Sequence, residues 1–163
     1  VLRVSENKYF IGIDVGKQGA IAVIDQNGKV IELIDMPVIA GRLDLTIFET
    51  TMQRYPQAPI TFEKVVSLYL KMKGMDIFQM GFMYGMIVSY MYSNNRKYHE
   101  VRCQEWRKAF GLTGKGKVYS IIEAKKLFPA AGKRLNGKSS QIEGRGEALL
   151  QAEYSRRISI GVA

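Results

Sequence analysis

The chain has 163 residues, 47% of them hydrophobic, enough for one domain with a packed core and too little for two. It carries 24 Lys and Arg against 15 Asp and Glu, a formal net charge of +9, which favours a polyanionic partner because each cation set against a phosphate releases condensed counterions. No apolar run is long enough to span a membrane, the first residues lack an apolar signal core, and the single Cys103 excludes an internal disulfide and a cysteine zinc cluster, so a reducing, cytoplasmic setting is expected.

Tyr9–Ile13 and Gly19–Ile24 are short β-rich runs split by the turn "DVGKQG". Asn27-Gly28 marks a tight turn, and Lys29–Asp35 resumes as a third strand, so three antiparallel strands open the chain. "LDLTIFETTMQRY" reads as a helix with Leu43, Ile47 and Phe48 on one face and Asp44 near its start, stopped by Pro56 and Pro59. "ITFEKV", from Ile60, is a buried fourth strand expected to lie parallel to the first. "MDIFQMGFMYGMIVSYMYSNN" is the longest apolar helix, from Asp76 to about Ser93, and "YHEVRC" is a short fifth strand. "CQEWRKAFG" is a short helix closed by Gly111, and a further helix runs from about Lys117 to Leu127 before Pro129. "AAGKRLNGKSSQ" reads as a mobile basic loop, and "IEGRGEALLQAEYSRR" closes the chain as a helix. This order describes one α/β domain over residues 1–163, with a mixed five-stranded sheet flanked by helices.

Four acids stand out from the rest. Asp14 ends the first strand, and Glu63 lies at the C-terminal part of the fourth. If those strands are parallel neighbours, the two carboxylates face each other across one strand spacing, about 5 Å. Glu143 and Glu147 are four apart and share a helix face, with Arg145 on a different one; Glu153 falls off that face and reads as a solvated charge. A strand-end Asp is often a turn former, and paired helical Glu are usually solvated. Brought together, the four would repel unless cations sat among them, and oxygen-only ligands suit Mg²⁺ or Mn²⁺. Two such ions about 4 Å apart can clamp the attacking water and leaving oxygen of a phosphodiester.

"GIDVGKQGAIAVID", "TFEKV", "QEWRKAFGLTGKGKVYS" and "EGRGEALLQAEYSRR", in that order from Tyr9 to about Arg157, resemble the RuvC-like Holliday-junction resolvases, above all the compact forms of bacteriophages and related viral genomes. The resemblance implies an RNase H-like fold, a homodimer, and Mg²⁺- or Mn²⁺-dependent hydrolysis of branched DNA with two ions per site and no covalent intermediate. It assigns metal ligation to Asp14, Glu63, Glu147 and Glu143, the last standing where the family commonly has Asp. It also implies a basic residue near the site. Lys117 is the better placed and Lys115 the second candidate, with Arg107 and Lys108 of "EWRK" for phosphate contact.

The segment after Glu63 reaches toward the junction centre in that family, so Tyr69 and Phe78 are candidates for stacking on an unpaired base; helical spacing with Phe82 favours Phe78 as core. Gly81 and Gly85 share a helix face that allows close backbone approach, either to a partner, as the resemblance implies, or to the protein's own sheet. His99 reads as a surface residue and Trp106 as core or a lid over it. Two alternatives remain open: a related nuclease for forks, flaps or RNA–DNA hybrids, and an actin-like or sugar-kinase phosphate-binding domain. The second shares the opening hairpin but needs two lobes, for which the chain is too short.

Overall fold

The computed structural model describes residues 8–65, 74–137 and 139–162. β1 (Tyr9–Asp14), β2 (Ala20–Asp25) and β3 (Val30–Asp35) form the antiparallel start; the small hairpin β4 (Val38–Ile39) and β5 (Arg42–Leu43) follows, then α1 (Leu45–Gln53) and β6 (Ile60–Glu63). α2 (Gly74–Ser93), β7 (Tyr98–Val101), α3 (Cys103–Ala109), α4 (Val118–Leu127), a 3₁₀ turn (Pro129–Leu135) and α5 (Ser140–Ser159) complete the order. The main sheet runs β3-β2-β1-β6-β7, antiparallel among the first three strands and parallel where β6 joins β1 and β7. This is the expected mixed sheet.

Because strand side chains alternate, β1 serves two cores. Ile11 and Ile13 pack with Phe48 and Met52 of α1 and Met83, Ile87 and Met91 of α2. Phe10 faces the opposite layer, with Trp106 of α3, Ala124 of α4 and Leu149 of α5. Both faces are covered, which is why β1 and β2 read as nearly unbroken apolar runs. Asp25 Oδ1 accepts from the backbone N–H groups of Asn27 and Lys29, closing the turn that the Asn-Gly pair marks.

α5 lies against β1 through a row of small residues. A Cβ at Gly12 would meet the Ala148 carbonyl and the Ala152 nitrogen, and one at Gly144 would meet the Gln18 carbonyl. The helix is locked in rotation by Arg145, whose Nε and Nη2 donate to Asp35 at 2.6 and 2.7 Å at the end of β3. Gln141 Nε2 donates to the Gly19 carbonyl at 2.9 Å, tying the helix start to the β1–β2 turn.

Several expectations need correction. Residues 129–135 form a 3₁₀ turn rather than a loose loop, held by Arg134 donating to the Leu33 carbonyl and to Asp35. Leu43 belongs to β5 and Ile47 is exposed, so α1 buries Phe48, Thr51 and Met52 instead, with Asp44 as its N-cap. Glu153 is buried, accepting from both Arg156 and Arg157. Phe78 is 66% exposed at the start of α2, because that helix buries Met83, Ile87, Tyr90 and Met91. His99 is exposed, as expected. No helix among the described residues is long and apolar enough to cross a membrane.

Candidate active site

β1 ends at Asp14 and β6 at Glu63. The parallel pairing of Ile13 with Phe62 sets these next residues side by side, about 4.8 Å of strand spacing apart, on the face covered by α5. From above, α5 supplies Glu143 in its first turn and Glu147 one turn later.

The four feel one another. The Asp14 carboxyl is held well above its ordinary pKa, first by burial, then by the charges of Glu147 and Glu63; Lys117 opposes this and Glu143 adds to it. Glu147 is raised as well, by burial foremost, with Lys117 and Arg107 pulling back and Glu63 and Glu143 pushing further.

Among the described residues no three His, Cys, Asp or Glu side chains converge as a ready-made chelate. Their partners show why. Glu143 lies 3.6 Å from Lys117 Nζ, Glu147 lies 3.8 Å from Arg107 Nη1, and Glu63 Oε2 accepts from Trp106 Nε1 at 3.1 Å. Each of these three answers a cation or donor rather than its like-charged neighbours. Asp14 has no hydrogen bond or close ion pair among the described residues, and the charge of Lys117 offsets only part of its burial penalty. An all-oxygen, anionic donor set around such a carboxylate fits a hard divalent cation, whose charge would remove the mutual repulsion.

The basic residues divide into two kinds. Lys108, Lys115 and Lys117 are exposed. The Arg107 side chain is only 11% exposed. It donates to the Leu112 and Lys115 carbonyls and to Ser120 Oγ, pinning the 112–117 loop to α3 and α4. Its donors are therefore already committed within the protein, which argues against the phosphate contact expected of it. Tyr69 lies outside the described residues. Phe78 stacks on Phe82 with centroids 6.2 Å apart, and Arg42 sits 5.3 Å over the Phe82 ring.

Two neighbours of Glu63 escaped sequence reasoning as site residues. Trp106 reaches it across 43 positions of sequence, and the half-buried Cys103 thiol is pushed up to about 12 by burial and by the Glu63 carboxylate. Only the fold brings them there; nothing local in the sequence signals it.

A sheet of order β3-β2-β1-β6-β7 with helices on both faces is an RNase H-like fold. Solved Holliday-junction resolvases share it. Thermus thermophilus RuvC superposes with a TM-score of 0.63 at 12% identity, covering 95% of this chain and 98% of that one. The T. thermophilus RuvC complex with a Holliday junction substrate gives 0.62 at 12% identity over the same shares. The yeast mitochondrial Holliday junction resolvase Ydc2 gives 0.61 at 13% identity, covering 98% of this chain and 85% of that one. Identities this low establish the common fold. No protein-family model and no curated protein matches the sequence.

Proposed function

We propose that the chain is a single-domain, structure-selective endonuclease that hydrolyses branched DNA, with four-way junctions as its foremost substrate. The observation that carries this is the electrostatic pocket shared by Asp14, Glu63, Glu143 and Glu147 at the C-terminal ends of β1 and β6. Strand C-termini are where open parallel sheets place their sites. The net charge of +9 and the junction-bound RuvC of the same fold support DNA as the substrate.

Asp14 and Glu63 on the sheet side, with Glu143 and Glu147 on the helix side, are the residues that would hold two ions of the Mg²⁺ or Mn²⁺ kind. Such ions supply a water activated at neutral pH and a counter-charge for the leaving oxygen. Lys117, with its side chain 70% exposed and only 3.6 Å from Glu143, is placed to turn from that carboxylate to a phosphate oxygen. Lys115 and Lys108 add positive charge for the backbone. Arg107 acts one step back, by holding the loop that bears Lys115 and Lys117. The lone free Cys103 suits a reducing cytoplasm.

A two-fold protein suits a four-way junction, because it cuts two strands symmetrically. Gly81 and Gly85 lie on the exposed side of α2, where an added Cβ would meet nothing, so their close-approach face is not spent on the protein's own sheet. They line a groove of about 620 Å³ with Leu45, Glu49 and Met86. A second copy of α2 is the occupant this face suits.

The test is a cleavage panel of four-way junction, fork, flap, linear duplex and RNA–DNA hybrid, each with Mg²⁺, Mn²⁺ or chelator. Junction cutting that needs the ion supports the proposal. Preferential cutting of the hybrid transfers the site to the alternative substrate, and no ion-dependent cutting of any member rejects the nuclease reading.

A further inference from the structure

Resting on that nuclease reading, we infer that Trp106 is the positioning residue that fixes Glu63 for ion binding, through its indole N–H. Trp106 is fully buried, in a core formed with Phe10, Val101, Phe110 and Leu112. A buried indole N–H needs an acceptor, and here it is Glu63 Oε2 at 3.1 Å. The arrangement follows from the chain path. Glu63 pairs with Val101 at the end of β7, α3 starts two residues later at Cys103, and one turn of helix returns Trp106 beside the end of β6.

This hold differs in kind from those on the other two paired acids. Lys117 is flexible and solvent-facing, so Glu143 can trade it for another cation. Arg107 competes by charge for Glu147. The indole is neutral, donates only, and is clamped by its core, with the Arg107 guanidinium 5.4 Å from its ring centroid. It therefore orients one carboxylate oxygen of Glu63 without neutralising the charge that an ion requires. Outer-sphere donors of this sort tune ion affinity by about 10- to 100-fold.

Trp106 is the protein's one tryptophan, so its indole N–H gives a single, assignable NMR resonance. In the wild-type protein that resonance should shift as Mg²⁺ is titrated in, and Glu63→Gln should move its starting position and abolish the Mg²⁺ response. By calorimetry, Trp106→Phe should weaken Mn²⁺ binding about 10- to 100-fold. Phe110→Leu, which disturbs the same core without touching Glu63, should leave ion binding unchanged and so separates positioning from packing. An indole resonance indifferent to both Mg²⁺ and Glu63→Gln in a wild type that binds ions, or a Trp106→Phe protein that binds Mn²⁺ as well as wild type, overturns the inference alone. A wild type that takes up no divalent ion overturns the nuclease reading together with it.

Discussion

Gly12 of β1 sits directly beneath Ala148 of α5, so close that a Cβ at Gly12 would meet the Ala148 carbonyl and the Ala152 nitrogen. This contact sets the height of α5 over the sheet, and so how near Glu143 and Glu147 come to Asp14. Both obstacles are backbone atoms, which cannot swing aside. Gly12→Ala should therefore cost about 3 kcal/mol or more in chemical denaturation. A Gly12→Ala protein as stable as wild type would show that α5 is free to lift.

Gly85→Leu should behave in the opposite way. The site is open, and replacing a helical glycine with leucine favours the helix by up to about 1 kcal/mol. The protomer should keep or gain stability while sedimentation shows the proposed α2-mediated dimer giving way to monomer. A dimer that survives with unchanged dissociation constant places the interface elsewhere.

Phe78→Ala should leave stability within about 0.5 kcal/mol, since the ring is 66% exposed. The resemblance makes Phe78 a candidate for stacking on an unpaired base; if it fills that role, losing the stack costs about 1–3 kcal/mol, and junction affinity should fall roughly 5- to 150-fold while affinity for linear duplex holds. Equal affinity of variant and wild type for the junction removes Phe78 from the DNA surface.

Glu153 gives the protein a pH-dependent element remote from the acidic pocket. Burial works to raise its pKa, but the hydrogen bonds from Arg156 and Arg157 outweigh this, and the net shift is downward from 4.5. A carboxyl depressed in the folded state contributes stability that is full above the unfolded pKa and lost as pH falls through the folded one. Glu153→Gln should cost about 3 kcal/mol near neutrality, and the difference from wild type should shrink below about pH 4.5. A difference that stays constant down to pH 2 would assign the loss to packing rather than charge.

Spacing made the nearness of the four acids partly readable, while their assignment as metal ligands came from the resemblance alone. The strand-end positions of Asp14 and Glu63 become neighbours as soon as β1 and β6 are parallel, and the four-residue interval between Glu143 and Glu147 survives in any straight helix. Contacts that depend on long-range geometry were not readable. The Trp106–Glu63 bond and the hold of Arg134 on Leu33 exist only once the layers are assembled. Phe78 was misplaced because α2 is apolar around most of its circumference, so periodicity does not reveal which face meets the sheet. Glu153 was misplaced although its partners, three and four residues on, stood in the sequence; a pair of arginines on that face is a reason to expect a shared buried acid. The hairpin of β4 and β5 has two residues per strand, too few for any alternation to show.

Asp14→Asn tests the whole arrangement most directly. It removes one charge from the centre of the acidic pocket while keeping the side chain's shape. With a four-way junction in Mg²⁺, cleavage should fall by about a thousandfold or more, the loss of about 4 kcal/mol of transition-state stabilisation. Junction binding measured in parallel should persist or tighten, because one less anion faces the phosphates. A variant that cuts the junction at the wild-type rate in Mg²⁺ would contradict the placement of Asp14 at the centre of a metal-dependent nuclease site.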